Sequence, residues 1–293
     1  MLKVHFYKAQ CRLGIIYHPI HQKDFNIGVE DGPDAILTNS FLKKFKENRT
    51  SEFNFLKPEE IDRNNYLNII AENLESFKNL INKTLKANET QVVIGGDNSV
   101  TFSSLLALIE RVGDAKKIGY IQLDSHGEMN LYKSSPTKNF HGMYMRPFLD
   151  SFDVPIISNL VTQKLPLKNT LFIGDQELDE EESIFFKKSK LKNINRKNVL
   201  EDRKIVLEYL KKFTSSFEYL HVNFDVDAFN KKGVQATGIP SGNGFKLKEL
   251  IPLIEVVSKH PRLSLDLSEV NPRKIGIDKT IRIVHEVLLR FLS

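Results

Sequence analysis

Tyr120-Ile121-Gln122-Leu123-Asp124-Ser125-His126-Gly127-Glu128 is the stretch on which the reading of the fold turns. A short apolar run ends in Asp, His and Glu at every second position. The run reads as a buried strand, and the three polar side chains stand where that strand gives out. Alternate side chains of a regular strand share one face, so all three can point into one site. Imidazole nitrogen with carboxylate oxygens is a donor set that divalent metals take near pH 7. A polar turn after a strand would carry the same residues, and this stretch alone does not separate the two.

A second stretch, His221-Val222-Asn223-Phe224-Asp225-Val226-Asp227, is again apolar-rich and again ends in alternating acids. Bare carboxylates side by side repel unless a cation or a shared proton sits between them. The strand ends of a parallel sheet open on one edge, where the ligand crevice of an open α/β sheet lies. The two stretches together predict a metal site at that edge, built from Asp124, His126, Asp225 and Asp227.

Working outward, strands are expected at 13–17, 52–56, 91–94, 117–123, 169–173, 219–224 and 262–267. Gly28-Val29-Glu30-Asp31-Gly32-Pro33 reads as a loop entering a helix, with Pro33 near its first turn. A long helix is expected over 65–86, where Leu67, Ile70, Leu74, Phe77, Leu80, Ile81 and Leu85 recur mostly at three- and four-residue spacing. Further helices are expected over 100–111, 179–188, 202–213, 247–258 and 279–292. The polar, turn-rich stretch 129–140 has the length of a functional loop. Strands alternating with helices predict a single α/β domain over 1–293, doubly wound, with a mainly parallel sheet and helices on both faces. Polar motifs follow at least five strand ends, at Asp97, Asp124, Glu177, Asp225 and Glu269.

Composition narrows the function classes. Forty-two basic against 37 acidic residues leave a net charge of +5, small for 293 residues, with no dense basic block. Lys187-Lys188-Ser189-Lys190, continuing to Lys197, reads as a solvated helix end and loop, so no nucleic-acid partner is expected. No run approaches 18 apolar residues, so no membrane span is expected. The single Cys11 excludes an internal disulfide and suits a reducing compartment. The first residues lack a long apolar core, and a cytoplasmic protein without a signal peptide is expected.

Six segments, in order, resemble motifs of the arginase (ureohydrolase) family. They are Gly28–Pro33, Gly95-Gly96-Asp97-Asn98-Ser99, Asp124-Ser125-His126-Gly127-Glu128, His141-Gly142, Asp225-Val226-Asp227, and Glu269-Val270-Asn271-Pro272 within 266–272. The resemblance implies two Mn²⁺ ions at the carboxyl edge of the sheet. Asp124 and Asp225 match the bridging carboxylates, and His126 and Asp227 the remaining ligands of one ion. Asn98 and Glu128 occupy the positions of the other ion's private ligands. It also implies hydrolysis of a guanidino C–N bond, L-arginine to L-ornithine and urea. Glu128 would orient the attacking water, Glu269 pair with the guanidinium, and His141 pass protons to the leaving amine. Asn130, Thr137 and Asn139 resemble the residues that meet the substrate's α-carboxylate, and Asp179 the acid that faces its α-amino group. A homo-oligomer, trimer or hexamer, is implied likewise.

The chain departs from the family pattern where the second ion belongs. Asn98 stands for a His and Glu128 for an Asp, so one or two ions per chain are expected, with the second held loosely. Asn230-Lys231 stands where Asp-Pro is usual, and Gln176 where Arg is common. The substrate loop speaks for arginase among the relatives, with an agmatinase- or formimidoylglutamase-type enzyme as the alternative. Asn98, Glu128 and Asn230 leave open a noncatalytic or weakly active homologue with a binding or regulatory role.

Overall fold

Apolar side chains stand on both faces of the central strands, so the sheet has to be covered twice. The computed structural model describes residues 2–16, 26–174 and 176–292. Its strands are β1 (Val4–Gln10), β2 (Asn48–Asn54), β3 (Thr90–Gly95), β4 (Ile118–Leu123), β5 (Thr170–Ile173), β6 (Lys192–Ile194), β7 (Tyr219–Asp225) and β8 (Leu263–Ser268). They form one sheet in the order β2-β1-β3-β8-β7-β4-β5-β6, with every pairing parallel. Val92, Ile94, Ile121, Leu123, Val222, Phe224, Leu265 and Leu267 pack with the Arg203–Thr214, Leu247–Val257 and Ile277–Phe291 helices. Val93, Ile118 and Tyr120 pack with the Tyr66–Thr84 and Val100–Val112 helices on the other face. The doubly wound α/β fold expected from the sequence is therefore the one observed.

The topology explains where a site can form. β3 and β4 are consecutive in the chain but are separated in the sheet by β8 and β7. Because all strands run the same way, the segments after β3, β4, β5, β7 and β8 emerge on one edge. That is where Asn98, Asp124, Glu177, Asp227 and Glu269 lie. Gly96 permits the tight approach there: a Cβ on it would collide with the Cys11 carbonyl oxygen, and the Asp97 N–H donates to that same oxygen at 2.8 Å.

Three expectations need correction. The first strand is Val4–Gln10, not 13–17. Leu13 and Ile15 are buried, but in a turn that runs over the strand ends, where the Gly14 N–H donates to Asp97 Oδ2 at 2.9 Å. Tyr17 and the polar loop over 18–25 lie outside the described residues. The second strand is Asn48–Asn54, earlier than 52–56, set by its parallel register with β1 from Val4↔Asn48 to Gln10↔Asn54. The basic stretch after 187 holds a short edge strand, β6, and the Arg196–Glu201 helix. Only Ile194 of β6 is buried, and its exposed Lys192 suits a sheet edge.

Candidate metal centre

Asp124 is fully buried just beyond β4. Its Oδ1 accepts the His126 N–H at 2.8 Å, and its Oδ2 accepts Gln122 Nε2 at 3.2 Å. His126, about a quarter exposed, brings Nδ1 to 3.0 Å from Asp227 Oδ2 and 3.6 Å from Asp124 Oδ1. Asp225 Oδ1 accepts the Asp227 N–H at 2.8 Å, and Asp227 Oδ1 accepts the Ser125 N–H at 3.1 Å. Carboxylate oxygens of Asp124, Asp225 and Asp227 lie within 4.8 Å of one another, as do ligand atoms of Asp124, His126 and Glu128. Two strand ends, 102 residues apart at Ser125 and Asp227, are thus stitched into one cage.

The second position is built differently. Asn98 Nδ2 donates to Glu128 Oε1 at 3.2 Å and approaches Asp225 Oδ2 at 3.5 Å. Asn98 Oδ1 is buried without a donor among the described residues. Glu128 holds a left-handed backbone, φ 58°, fixed by the Met145 N–H donating to its carbonyl at 3.0 Å. Such backbone strain is disfavoured for a non-glycine residue and gathers at functional sites. Glu269 shows the same trait, φ 69°. Its carboxylate accepts the Asn98 backbone N–H at 3.1 Å and Asn26 Nδ2 at 2.9 Å.

Burial first, then neighbouring acids, decides the proton affinities. Asp124 is pushed up to about 7 by burial and by Asp227. Burial and the Asp124 charge push Glu128 well up. Burial, Asp227 and Asp124 do the same to Asp225, and burial with Asp97 to Glu269. Burial opposes the charge on His126, yet Asp227 and Asp124 outweigh it and raise that imidazole well above its ordinary value. Among the described residues no Lys or Arg makes an ion pair with any of these acids. Four donors of one cage, Asp124, His126, Asp225 and Asp227, therefore fit a divalent cation: three carboxylates and one imidazole, with no Lys or Arg ion pair among the described residues. The second position does not fit equally well, because an amide N–H₂ points at its carboxylates.

A cleft of about 240 Å³ opens beside the cage. Asn130, Thr137, His141 and Asp179 line it, together with Glu128, Asp225, Asp227 and Glu269. Asn130 Nδ2 donates to Asp179 Oδ2 at 2.8 Å, leaving Asn130 Oδ1 without a partner among the described residues. His141 donates Nδ1–H to the Gly14 carbonyl at 3.2 Å, and burial lowers its pKa. Asn139 is set back from the cleft. Its Oδ1 accepts the Ile16 N–H at 2.9 Å and its own N–H donates to Thr137 Oγ1 at 3.2 Å, so it anchors the turn over the strand ends.

Three residues to which the sequence reading gave no role stand close to the site. Glu182 accepts the Met129 N–H at 2.7 Å and the Asp179 N–H at 3.0 Å, joining the loop after β4 to the Glu180–Ser189 helix. The spacing Asp179-x-x-Glu182 is a capping-box signature and could have exposed it. Gln122 clamps Asp124 and the His126 carbonyl, 3.2 Å each, from within β4. Asn26 reaches Glu269 from 243 residues away, which no local signal encodes. Gln176 donates to the Asp124 carbonyl at 2.8 Å, and Asn230 donates to the Gly242 carbonyl, so both departures from the family pattern have structural partners.

Fold and site define a class: a parallel α/β protein with a cage of carboxylates and one imidazole at the carboxyl edge of its sheet. A profile of the arginase family matches residues 12–293. The chain is 28% identical over 259 residues to the arginase of Plasmodium berghei, covering 85% of this chain and 72% of that protein. Its fold is similar to the crystal structure of Entamoeba histolytica arginase in complex with L-ornithine, TM-score 0.86 at 20% identity over 99% and 98% of the two chains. It is similar also to Bacillus subtilis arginase, TM-score 0.83 at 23% identity over 99% and 98%. The chain belongs to the arginase family of hydrolases.

Proposed function

We propose that this chain hydrolyses the C–N bond of a guanidino substrate, first among them L-arginine, to give L-ornithine and urea. The observation that carries this reading is the charge of the cleft. Glu128, Glu177, Asp179, Glu182, Asp225, Asp227 and Glu269 line it, and among the described residues no Lys or Arg does. Such a cleft attracts a substrate that is cationic at both ends and repels one carrying two carboxylates. Arginine and agmatine thereby precede formimidoylglutamate.

Asp124, His126, Asp225 and Asp227 would hold a divalent cation, Mn²⁺ by resemblance. Such a cation supplies Lewis-acid charge stabilisation and lowers the pKa of water toward neutrality. Glu128 would accept a hydrogen bond from the attacking water. Glu269, fixed by Asn26 and the Asn98 N–H, would pair with the guanidinium. His141, its Nδ1–H tied to Gly14, keeps Nε2 for the proton passed to the leaving amine. At the far end Asp179 would meet the α-ammonium, and Thr137 and Asn130 would bound the α-carboxylate, with Asn139 supporting Thr137 from behind. A homo-oligomer, trimer or hexamer, and a cytoplasmic setting belong to the same reading by resemblance.

A second reading, a noncatalytic homologue with a binding or regulatory role, draws on one observation: the Asn98 amide sits where a second ion would go. Urea release from L-arginine, agmatine and formimidoylglutamate with Mn²⁺ present separates the two. Turnover of arginine at the highest rate supports the hydrolase. No turnover of any guanidino or formimino substrate removes it.

A further inference from the structure

We propose that the centre takes one divalent cation per chain, and that the Asn98 side-chain amide closes the second position. This rests on the same cation cage as the proposed hydrolase. Glu128 and Asp225 are buried carboxylates with no Lys or Arg ion pair among the described residues. Asn98 Nδ2 faces both, at 3.2 and 3.5 Å, and so places two N–H dipoles where a second positive charge would stand. The amide orientation follows from these acceptors. Turned over, Oδ1 would confront two carboxylate oxygens with nothing between them.

To ligate, the Asn98 amide would have to turn and present Oδ1, stripping the donor from Glu128. A neutral amide oxygen is a poorer ligand than imidazole for the transition metals that nitrogen donors select. The rest of Asn98 is held as well: its backbone N–H is committed to Glu269 Oε1 at 3.1 Å, and the residue opens the turn into the Val100–Val112 helix. Glu128 is committed by its left-handed backbone, which sets its longer side chain against the amide. One position thus offers four donors, and the other offers a donor group in place of a ligand.

The test is metal stoichiometry with spectroscopy, on the full chain loaded with MnCl₂ alone and freed of excess. One Mn²⁺ per chain is expected, with the hyperfine sextet of an isolated ion in the electron paramagnetic resonance spectrum. Asn98→His, alone and combined with Glu128→Asp, is expected to admit a second ion and bring in the signal of an exchange-coupled pair. Two ions in the unaltered chain, with a coupled signal, overturn the proposal and leave the hydrolase standing. No bound ion overturns both. Should the variants fail to fold by circular dichroism, the count in the unaltered chain still decides.

Discussion

The two edges of the one sheet handle their acids in opposite ways. At the amino edge Glu89, just before β3, accepts Arg49 Nε and Nη2 at 2.8 Å each and the Lys86 N–H at 3.0 Å. The Arg49 hydrogen bonds pull its pKa down to about 2. At the carboxyl edge Asp124, Glu128, Asp225 and Glu269 have no Arg or Lys ion-pair partner among the described residues, and burial drives all four up. An acid held down by a guanidinium is finished as structure. Acids crowded, buried and given no Lys or Arg ion pair among the described residues, with one imidazole beside them, suit a cation that comes from outside.

The largest effect that would break this comparison is catalytic. Asp124→Asn keeps the shape and removes one carboxylate of the cage. Urea release is expected to fall by about 10³-fold, roughly 4 kcal/mol of barrier, with Mn²⁺ content falling alongside. Activity and metal retained at the original level would mean that Asp124 is no ligand. Next comes the pH dependence of the metal-free protein, followed by chemical denaturation. Asp124 rises from 3.8 to about 7, so the native state binds more protons than the unfolded one across that interval. Its stabilising contribution is whole below about 4 and is lost as pH climbs through about 7. At about 1.4 kcal/mol per unit, Asp124 alone accounts for an upper bound of ~4 kcal/mol. His126, also raised, acts in the same direction. A flat profile from pH 5 to 8 would contradict the crowding.

Opposite signs of neutralising mutations sharpen the contrast. Asp225→Asn in the metal-free protein is expected to raise the denaturation midpoint at pH 8, worth about 2 kcal/mol, because it removes an acid whose ionisation burial and the neighbouring Asp227 and Asp124 oppose. Glu89→Gln is expected to lower it, by the smallest amount of the set. The Glu89 shift would convert to ~3 kcal/mol, but Arg49 is 41% exposed and solvent screening leaves about 1 kcal/mol. That loss is present above pH 4.5 and vanishes as pH falls toward about 2, the reverse of the carboxyl edge. The same sign at both edges would erase the distinction.

The carboxyl edge was legible because its signals are local: apolar runs that stop at Asp-x-His-x-Glu and Asp-x-Asp, read over a few residues. β1 was not, because its polar members are satisfied from elsewhere. His5 is buried against Ser51 of β2, at 2.9 Å, and Tyr7, at 3.1 Å, contacts that give a mixed sequence the environment of a core strand. The apolar residues of 13–16 read as a strand instead, but Leu13 and Ile15 bury themselves in a turn and Ile16 is half-buried. Asn98 was legible as a departure, not as a plug: its amide is oriented by Glu128 and Asp225, 30 and 127 residues away. Asn139 matched by position, yet its carbonyl oxygen is spent on Ile16.

Calorimetric titration of the metal-free protein with MnCl₂ near pH 7, repeated in buffers of different ionisation heat, tests the cation cage most directly. Binding is expected with net release of protons, because acids raised by burial and by one another must give them up to a metal. Absence of binding heat, or binding with no proton released in any buffer, would contradict the account.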